Sequence, residues 1–324
     1  MSIHLDQMRR HTLDYLDALW ADESIGGGHK YMPEGRVSIL STSNAAWIYH
    51  LLQAHDKIGK YGKDASSWLK SQQQPDGRFI HDPARHPKYC AGPSHALFVV
   101  SRALDIYGCS LESTPAYLVP LLSAEQLDQW FSAIDWKGES SSHHDVLAIV
   151  AGLKSAPSSA WLDTLFSHLD RQQDQDTGCW SFNWRNLDAN LPNMSRSFAY
   201  TNIYINFGRI PPHADQMIET AIALQKPSGI WEHFMDLPEY FTMDAVFLIW
   251  RIGNLIHYPL EKRLPALLRA ADAMDAHFSA HPPSSYDQLH SLTATLETLA
   301  LLGEAFPERY PASIPWLFDW TKKF

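Results

Sequence analysis

The chain has 324 residues, 45% of them apolar and 19% charged, with a formal net charge of −10. That is enough apolar material for a sizeable core and the wrong composition for a disordered chain. No lysine- and arginine-rich run offsets the acidic balance, which argues against nucleic acid as a partner. Cys90, Cys109 and Cys179 are too widely spaced for a disulfide framework or a paired zinc motif.

The opening stretch, MSIHLDQMRRHTLDYLDALW, reads as an amphipathic helix without the apolar core of a signal peptide. No run of about 18 apolar residues follows, so a soluble cytoplasmic protein with no membrane span is expected. IGGGHKYMPEGR (25–36) comes next. Its glycines predict mobility, as a lid or as an arm to a second subunit; no strand precedes it as a phosphate-binding loop would need.

Strongly apolar helical runs then recur. They are TSNAAWIYHLLQA from Thr42, PSHALFVVSRALDIYG from Pro93, SSHHDVLAIVAG from Ser141, MSRSFAYTNIYINFG from Met194, FTMDAVFLIWRIG from Phe241 and SSYDQLHSLTATLETLALLG from Ser284. A hydroxyl residue stands near each start: Ser43, Ser94, Ser142, Ser195, Thr242 and Ser285, spaced by 51, 48, 53, 47 and 43 residues. Such a period marks a repeat architecture. The hydroxyls are predicted to cap first-turn N–H groups. Gly108, Gly152, Gly208, Gly253 and Gly303 are predicted to end the runs in the left-handed conformation.

Between these runs lie one-sided stretches: DASSWLKSQQQ, AYLVPLLSAEQLDQWFSAID, SAWLDTLFSHLDRQQ, HADQMIETAIALQ and EKRLPALLRAADAMDAHF. Their apolar residues fall at helical spacing and their charges elsewhere, as on surface helices. Buried helices alternating with one-sided ones predict an all-α fold, an α/α toroid of about (α/α)6 with inner and outer rings, in one domain over 1–324. An open helical solenoid is the alternative.

A turn motif joins the two sets. QKPSGIW (225–231) and QQPDGRF (73–79) place a glutamine four residues before a glycine and an aromatic two after it; RQQDQDTGCW (171–180) keeps Gly178 and Trp180 with its glutamine one residue displaced. This Q-x-x-x-G-x-W pattern resembles the QW repeat of triterpene cyclases, found more loosely in protein prenyltransferase β-subunits. The resemblance implies the toroidal scaffold and bears only weakly on chemistry. Cyclases of that kind protonate their substrate from a D-x-D-D segment. The one echo, Asp174-Gln175-Asp176-Thr177, departs at its fourth position and lies in the displaced turn, so the acid role is not carried onto it. The prenyltransferase zinc site needs a D-x-C that is absent here. Adjacent residues such as His143, His144 and Asp145 rarely converge on one metal. No cofactor or metal is expected.

In such a ring the N-termini of the inner helices share one mouth, where their dipoles favour anions. Residues just after each hydroxyl should ring it. The candidate catalytic residues are Asp244, Tyr240, His95, His144, Asp145 and Asp287. The candidate substrate-binding residues are His81, His143, Arg196, Tyr200, Trp184, Trp231, Glu239 and Tyr286, with Asp82 on a nearby loop. Each has a plainer explanation, a helix-dipole aspartate, a solvated histidine or a core aromatic. Their coincidence in the first turns is what singles them out.

Three functions fit. The first is a cyclase, isomerase or lyase on an isoprenoid or similar apolar substrate, with aromatic walls shielding a cation and Asp244 as the acid. The second is a carbohydrate-active lyase, hydrolase or epimerase, with Tyr and His moving a proton beside a carboxylate that Arg196 neutralises. The third is a non-catalytic helical scaffold. A small-molecule substrate is the expected partner, and a homo-oligomer is left open.

Overall fold

The computed structural model describes residues 4–22, 27–80, 92–111, 114–134, 136, 142–153, 156–180, 187–231, 238–286 and 288–320, with backbone alone for 142, 143 and 187–193. It is predominantly α-helical. The more buried helices are α2 (Ile39–Leu51), α4 (Pro93–Ile106), α6 (Ser142–Gly152), α8 (Leu187–Asn206), α10 (Tyr240–Phe247) and α13 (Leu289–Ala305). Between them run the one-sided helices α1 (Leu5–Leu19), α3 (His55–Ser71), α5 (Ala124–Ala133), α7 (Ser159–Gln172), α9 (Ala214–Ala223) and α12 (Leu260–Ala280). A π-helical turn at Leu248–Ile252 and the short α11 (Gly253–Leu255) extend α10. Among the described residues no helix is long and apolar enough to cross a membrane.

The buried helices pack in sequence: α2 on α4, α4 on α6, α6 on α8, α8 on α10, α10 on α13, and α13 back on α2. Apolar side chains from Leu5 to Phe318 join one cluster. The burial follows from composition. α13 presents leucine, alanine and threonine on every side, and nearly its whole length is buried. On α3 only Tyr61, Gly62, Ala65, Ser66 and Leu69 are buried, one stripe of an otherwise charged helix.

The glutamine–glycine turns behave as local staples. Gln73 donates to the Gly77 carbonyl at 3.0 Å and Gln225 to that of Gly229 at 2.8 Å. The displaced Gln173 still reaches Gly178, at 2.8 Å, across one more residue. The turns need glycine for two reasons. Gly229 has φ +90°, and a Cβ there would stand 2.4 Å from the Arg269 carbonyl. Trp180 and Trp231 are fully enclosed and donate back to the Leu169 and Ala221 carbonyls at the ends of α7 and α9.

Of the predicted caps, Thr242 does a different job, and hydroxyls near two others, Ser197 and Thr42, share it. Thr242 lies inside α10 and accepts from the Trp231 amide at 3.1 Å, and Ser197 inside α8 accepts from the Trp180 amide. Thr42 accepts from His29 in the same way. The observed starts correct the predicted caps. α2 begins four residues before Ser43, capped by Ser38; α8 begins eight before Ser195, and α13 begins after a separate 3-10 turn that contains Ser285. Hydroxyls inside these helices hold the backbone amides of Trp180, Trp231 and His29.

Gly108 and Gly208 take the predicted left-handed conformation at the ends of α4 and α8. At the ends of α2 and α11 that conformation falls on Gln53 and His257 instead. Gly253 is needed for space: a Cβ would stand 2.6 Å from the Arg263 side chain. Arg263 enters there to donate to the carbonyls of Ile249 and Trp250 in the π turn. The glycine-rich stretch is pinned where it is described. Gly28–His29 pairs antiparallel with Trp20–Ala21, and His29 is buried against Tyr49, its Nε2 2.9 Å from the hydroxyl.

Candidate functional site

The first turns of four buried helices meet. His95 of α4 and His144 of α6 lie with ring centres 4.8 Å apart, and His95 is 5.6 Å from His290 of α13. Tyr240, the first residue of α10, lies over His290 at 4.1 Å, with its hydroxyl 3.1 Å from His290 Nδ1. Three histidines and a tyrosine from separate helices therefore form one layer. It stands at the helix N-termini because each side chain sits within about one turn of its helix start.

Burial shapes its protonation. Desolvation first, and the nearby Arg196 guanidinium second, push His144 down to about 4, so its imidazole is neutral at physiological pH. His95 is 7% exposed. Asp244 lies one turn along α10 from Tyr240 and is almost fully buried. Beside the layer, Glu239 accepts a hydrogen bond from Ser291 at 2.9 Å, fixing the start of α10 against that of α13. Imidazoles, a tyrosine hydroxyl and one guanidinium can pass a proton and hold an anionic group. Among the described residues no set of histidine, cysteine, aspartate and glutamate side chains is arranged to hold a metal ion.

The structure brings together His95, His144, Tyr240 and, through its charge, Arg196. Asp145 looks elsewhere. It accepts from Ser94 at 2.5 Å in a cleft of about 440 Å³ that Arg78, Tyr117 and Trp130 also line. Burial raises Asp145 there, against the Ser94 hydrogen bond, and raises Tyr117 to about 12. Tyr286 pairs with His277 at 2.5 Å, and Tyr15 donates to its carbonyl. Tyr200 and Trp231 are enclosed scaffold aromatics, Tyr200 packed on Trp180 at 5.4 Å and Trp231 closing its turn. His81, Asp82, Trp184, Asp287 and the side chain of His143 lie outside the described residues. Asp174 holds its own turn, accepting from the Thr177 amide and hydroxyl at 2.8 and 2.7 Å.

His290 is the residue that sequence reading missed. Counting from Ser285 gives Tyr286 and Asp287 as the mouth positions, whereas α13 starts at Leu289 and presents His290 and Ser291. The usable signal was the apolar run itself, which strengthens only at Leu289.

Below the histidine layer the helices present aromatics. Phe98 is three residues after His95, about 4.5 Å along the axis and on the same face. Its ring lies 5.8 Å from that of Trp47 in α2. Phe198 of α8 packs on Phe247 of α10 at 4.9 Å. Comparison with known proteins adds no family to this geometry: no protein-family profile, curated protein or solved structure matches the chain.

Proposed function

We propose that the cycle of buried helices is the inner ring of an (α/α)6 toroid, a single domain, with α1, α3, α5, α7, α9 and α12 outside it. The protein is then an enzyme whose reaction centre is the histidine layer at the N-terminal mouth. Its chemistry is proton transfer next to a carboxylate on a small polar substrate of the acidic-sugar class, as in a lyase or epimerase.

The observation that carries this reading is the contact between the Tyr240 hydroxyl and His290 Nδ1, inside a layer that also holds His95 and His144. With its proton on Nε2, His290 accepts at Nδ1 from the tyrosine. The pair then offers a donor and an acceptor a few ångströms apart, which general acid–base catalysis requires. Arg196 and the helix N-termini supply positive potential for the substrate carboxylate and for the charge that grows on it as the proton leaves. His144, neutral through burial, serves as a hydrogen-bonding partner without competing charge.

A second reading, a cyclase or isomerase of isoprenoid-like substrates, is favoured by the aromatic layer of Trp47, Phe98, Phe198 and Phe247 one turn below. Ring faces stabilise cations, and Asp244 would be the acid.

The test incubates the protein in deuterated water with a panel of uronic acids and with prenyl diphosphates, read by NMR. Deuterium entering at the carbon beside the carboxylate, or elimination to an unsaturated acid, is the expected result. Tyr240→Phe should lower that rate by at least a hundredfold, within the range for loss of a general acid or base, with the fold intact. Turnover of the prenyl compounds alone would transfer the assignment to the second reading, and inertness toward both classes would sink the enzyme.

A further inference from the structure

Residues 306–320 contain no helix, yet Trp316 and Phe318 are buried. Trp320 sits among four of the buried helices. Its ring lies 4.7 Å from Trp47 of α2, 5.6 Å from Phe98 of α4 and 4.7 Å from Phe198 of α8. Its Nε1 donates to Glu297 Oε1 of α13 at 2.7 Å. Phe318 lies 5.5 Å from Phe247 of α10. The segment thus occupies the space directly beneath the histidine layer, entering from the C-terminal ends of the helices.

Its attachments are those of a bound peptide. One backbone–backbone hydrogen bond among the described residues joins residues 307–320 to the helices, from the Leu317 amide to the Leu51 carbonyl at 2.8 Å. The rest are side-chain anchors. Arg251 donates to the Phe318 carbonyl, Arg102 donates to the Asp319 carbonyl, and the Asp319 carboxylate stands 4.0 Å from both Arg102 and His50. The residues just before it, Ser313 to Pro315, are exposed, and they too are held through side chains, Ser313 donating to the Asp6 carboxylate and Gln53 donating to the Pro315 carbonyl. The pocket itself is polar as well as aromatic: Glu297 is 5% exposed, and its Oε2 has no hydrogen-bond partner among the described residues.

We propose that the space between the C-terminal halves of α2, α4, α8 and α13 is a binding site for an extended aromatic and acidic peptide. The chain's own Trp316-Leu317-Phe318-Asp319-Trp320 is its self-supplied, exchangeable ligand. Alternate aromatics enter the ring, the intervening aspartate meets Arg102 and His50, and the last indole meets Glu297. The same segment on a second copy has the same chemistry, so exchange between chains follows. Occupancy also sets the depth of the space below the histidine layer, although binding here does not depend on any reaction there.

The test uses the full-length chain with a protease recognition sequence inserted after Ile314, folded first and cut afterwards. A dye-labelled synthetic peptide of residues 315–324 is then added and followed by fluorescence anisotropy, with circular dichroism reporting the fold. The expected result is saturable, one-to-one entry of the labelled peptide into folded protein. A peptide carrying Trp320→Ala should bind at least tenfold more weakly, and so should a scrambled one. The proposal fails if the cut protein stays folded and takes up no peptide, or if the Trp320→Ala peptide enters as readily as the natural one. It fails equally if cutting unfolds the protein, because the segment is then inseparable core.

Discussion

The two ends of the buried helices treat their polar groups in opposite ways. At the N-terminal end, histidines and a tyrosine from neighbouring helices meet each other directly, and burial holds His144 neutral. At the other end, a carboxylate, an arginine and a histidine are covered by the chain's own aromatic tail, and burial raises Glu297 from 4.5 to about 8 against the pull of Trp320 and Arg102. Helix direction contributes to the contrast. Donor-rich N-termini receive groups that can serve as acceptors, and a buried neutral carboxyl is tolerable where helix C-termini oppose negative charge. The lesson is that both ends bury titratable groups in their uncharged forms, but the two ends fail at opposite extremes of pH.

The sharpest way to break the comparison is to titrate it. Glu297 binds its proton more tightly folded than unfolded. Its contribution is therefore fully present below about pH 4.5 and is lost as pH rises through about 8. At about 1.4 kcal/mol per pKa unit the loss reaches roughly 5 kcal/mol as an upper bound. Glu297→Gln should flatten that limb, giving a variant more stable than the parent at alkaline pH in urea unfolding. An unchanged alkaline limb would contradict the burial argument.

Removing the tail's last ring comes next. Trp320→Ala deletes the contacts to Trp47, Phe98 and Phe198 and the donor to Glu297. Its ring is half-buried, so the cost stays under the roughly 3–5 kcal/mol of a fully enclosed aromatic. Chemical denaturation measures it, and a loss under about 1 kcal/mol would mean the ring is not packed as described.

The histidine end carries the reverse pH sign. His144 falls from 6.5 to about 4, so its contribution is present above pH 6.5 and is lost as pH falls through about 4. The loss reaches roughly 3 kcal/mol. His144→Gln should remove this part of acid unfolding while leaving the alkaline limb to Glu297; thermal melts across pH separate the two.

The smallest effect belongs to the scaffold that both ends share. Gln225 donates to the carbonyls of Gly229 and of Ala266 in α12, at 2.8 and 2.9 Å. Gln225→Ala should cost about 1–2 kcal/mol and leave both pH limbs in place. A shifted limb would show that the turns and the ends are coupled.

Much of the scaffold could be read without coordinates. The alternation of fully apolar and one-sided runs locates the bodies of α2 to α10, α12 and α13, with starts displaced by up to nine residues, and the glutamine–glycine–aromatic spacing identifies the staples. Helix starts were harder. Thr242 looks like a cap in the sequence, but its hydroxyl is engaged by the Trp231 amide, and Ser43 and Ser195 fall inside α2 and α8. That error moved the mouth positions on α13 from His290 to Tyr286 and Asp287. Grouping Asp145 with His144 failed for a separate reason: adjacent residues on a helix point about 100° apart.

What the sequence determined by itself is the secondary structure and its two kinds of helix, because burial periodicity and turn chemistry are local properties carried by neighbouring residues. Tertiary structure alone decided that His95, His144, Tyr240 and His290 share a layer and that Trp320 stands among helices from both halves of the chain. Those contacts depend on the order in which the helices pack and on where each begins, and no local pattern encodes either.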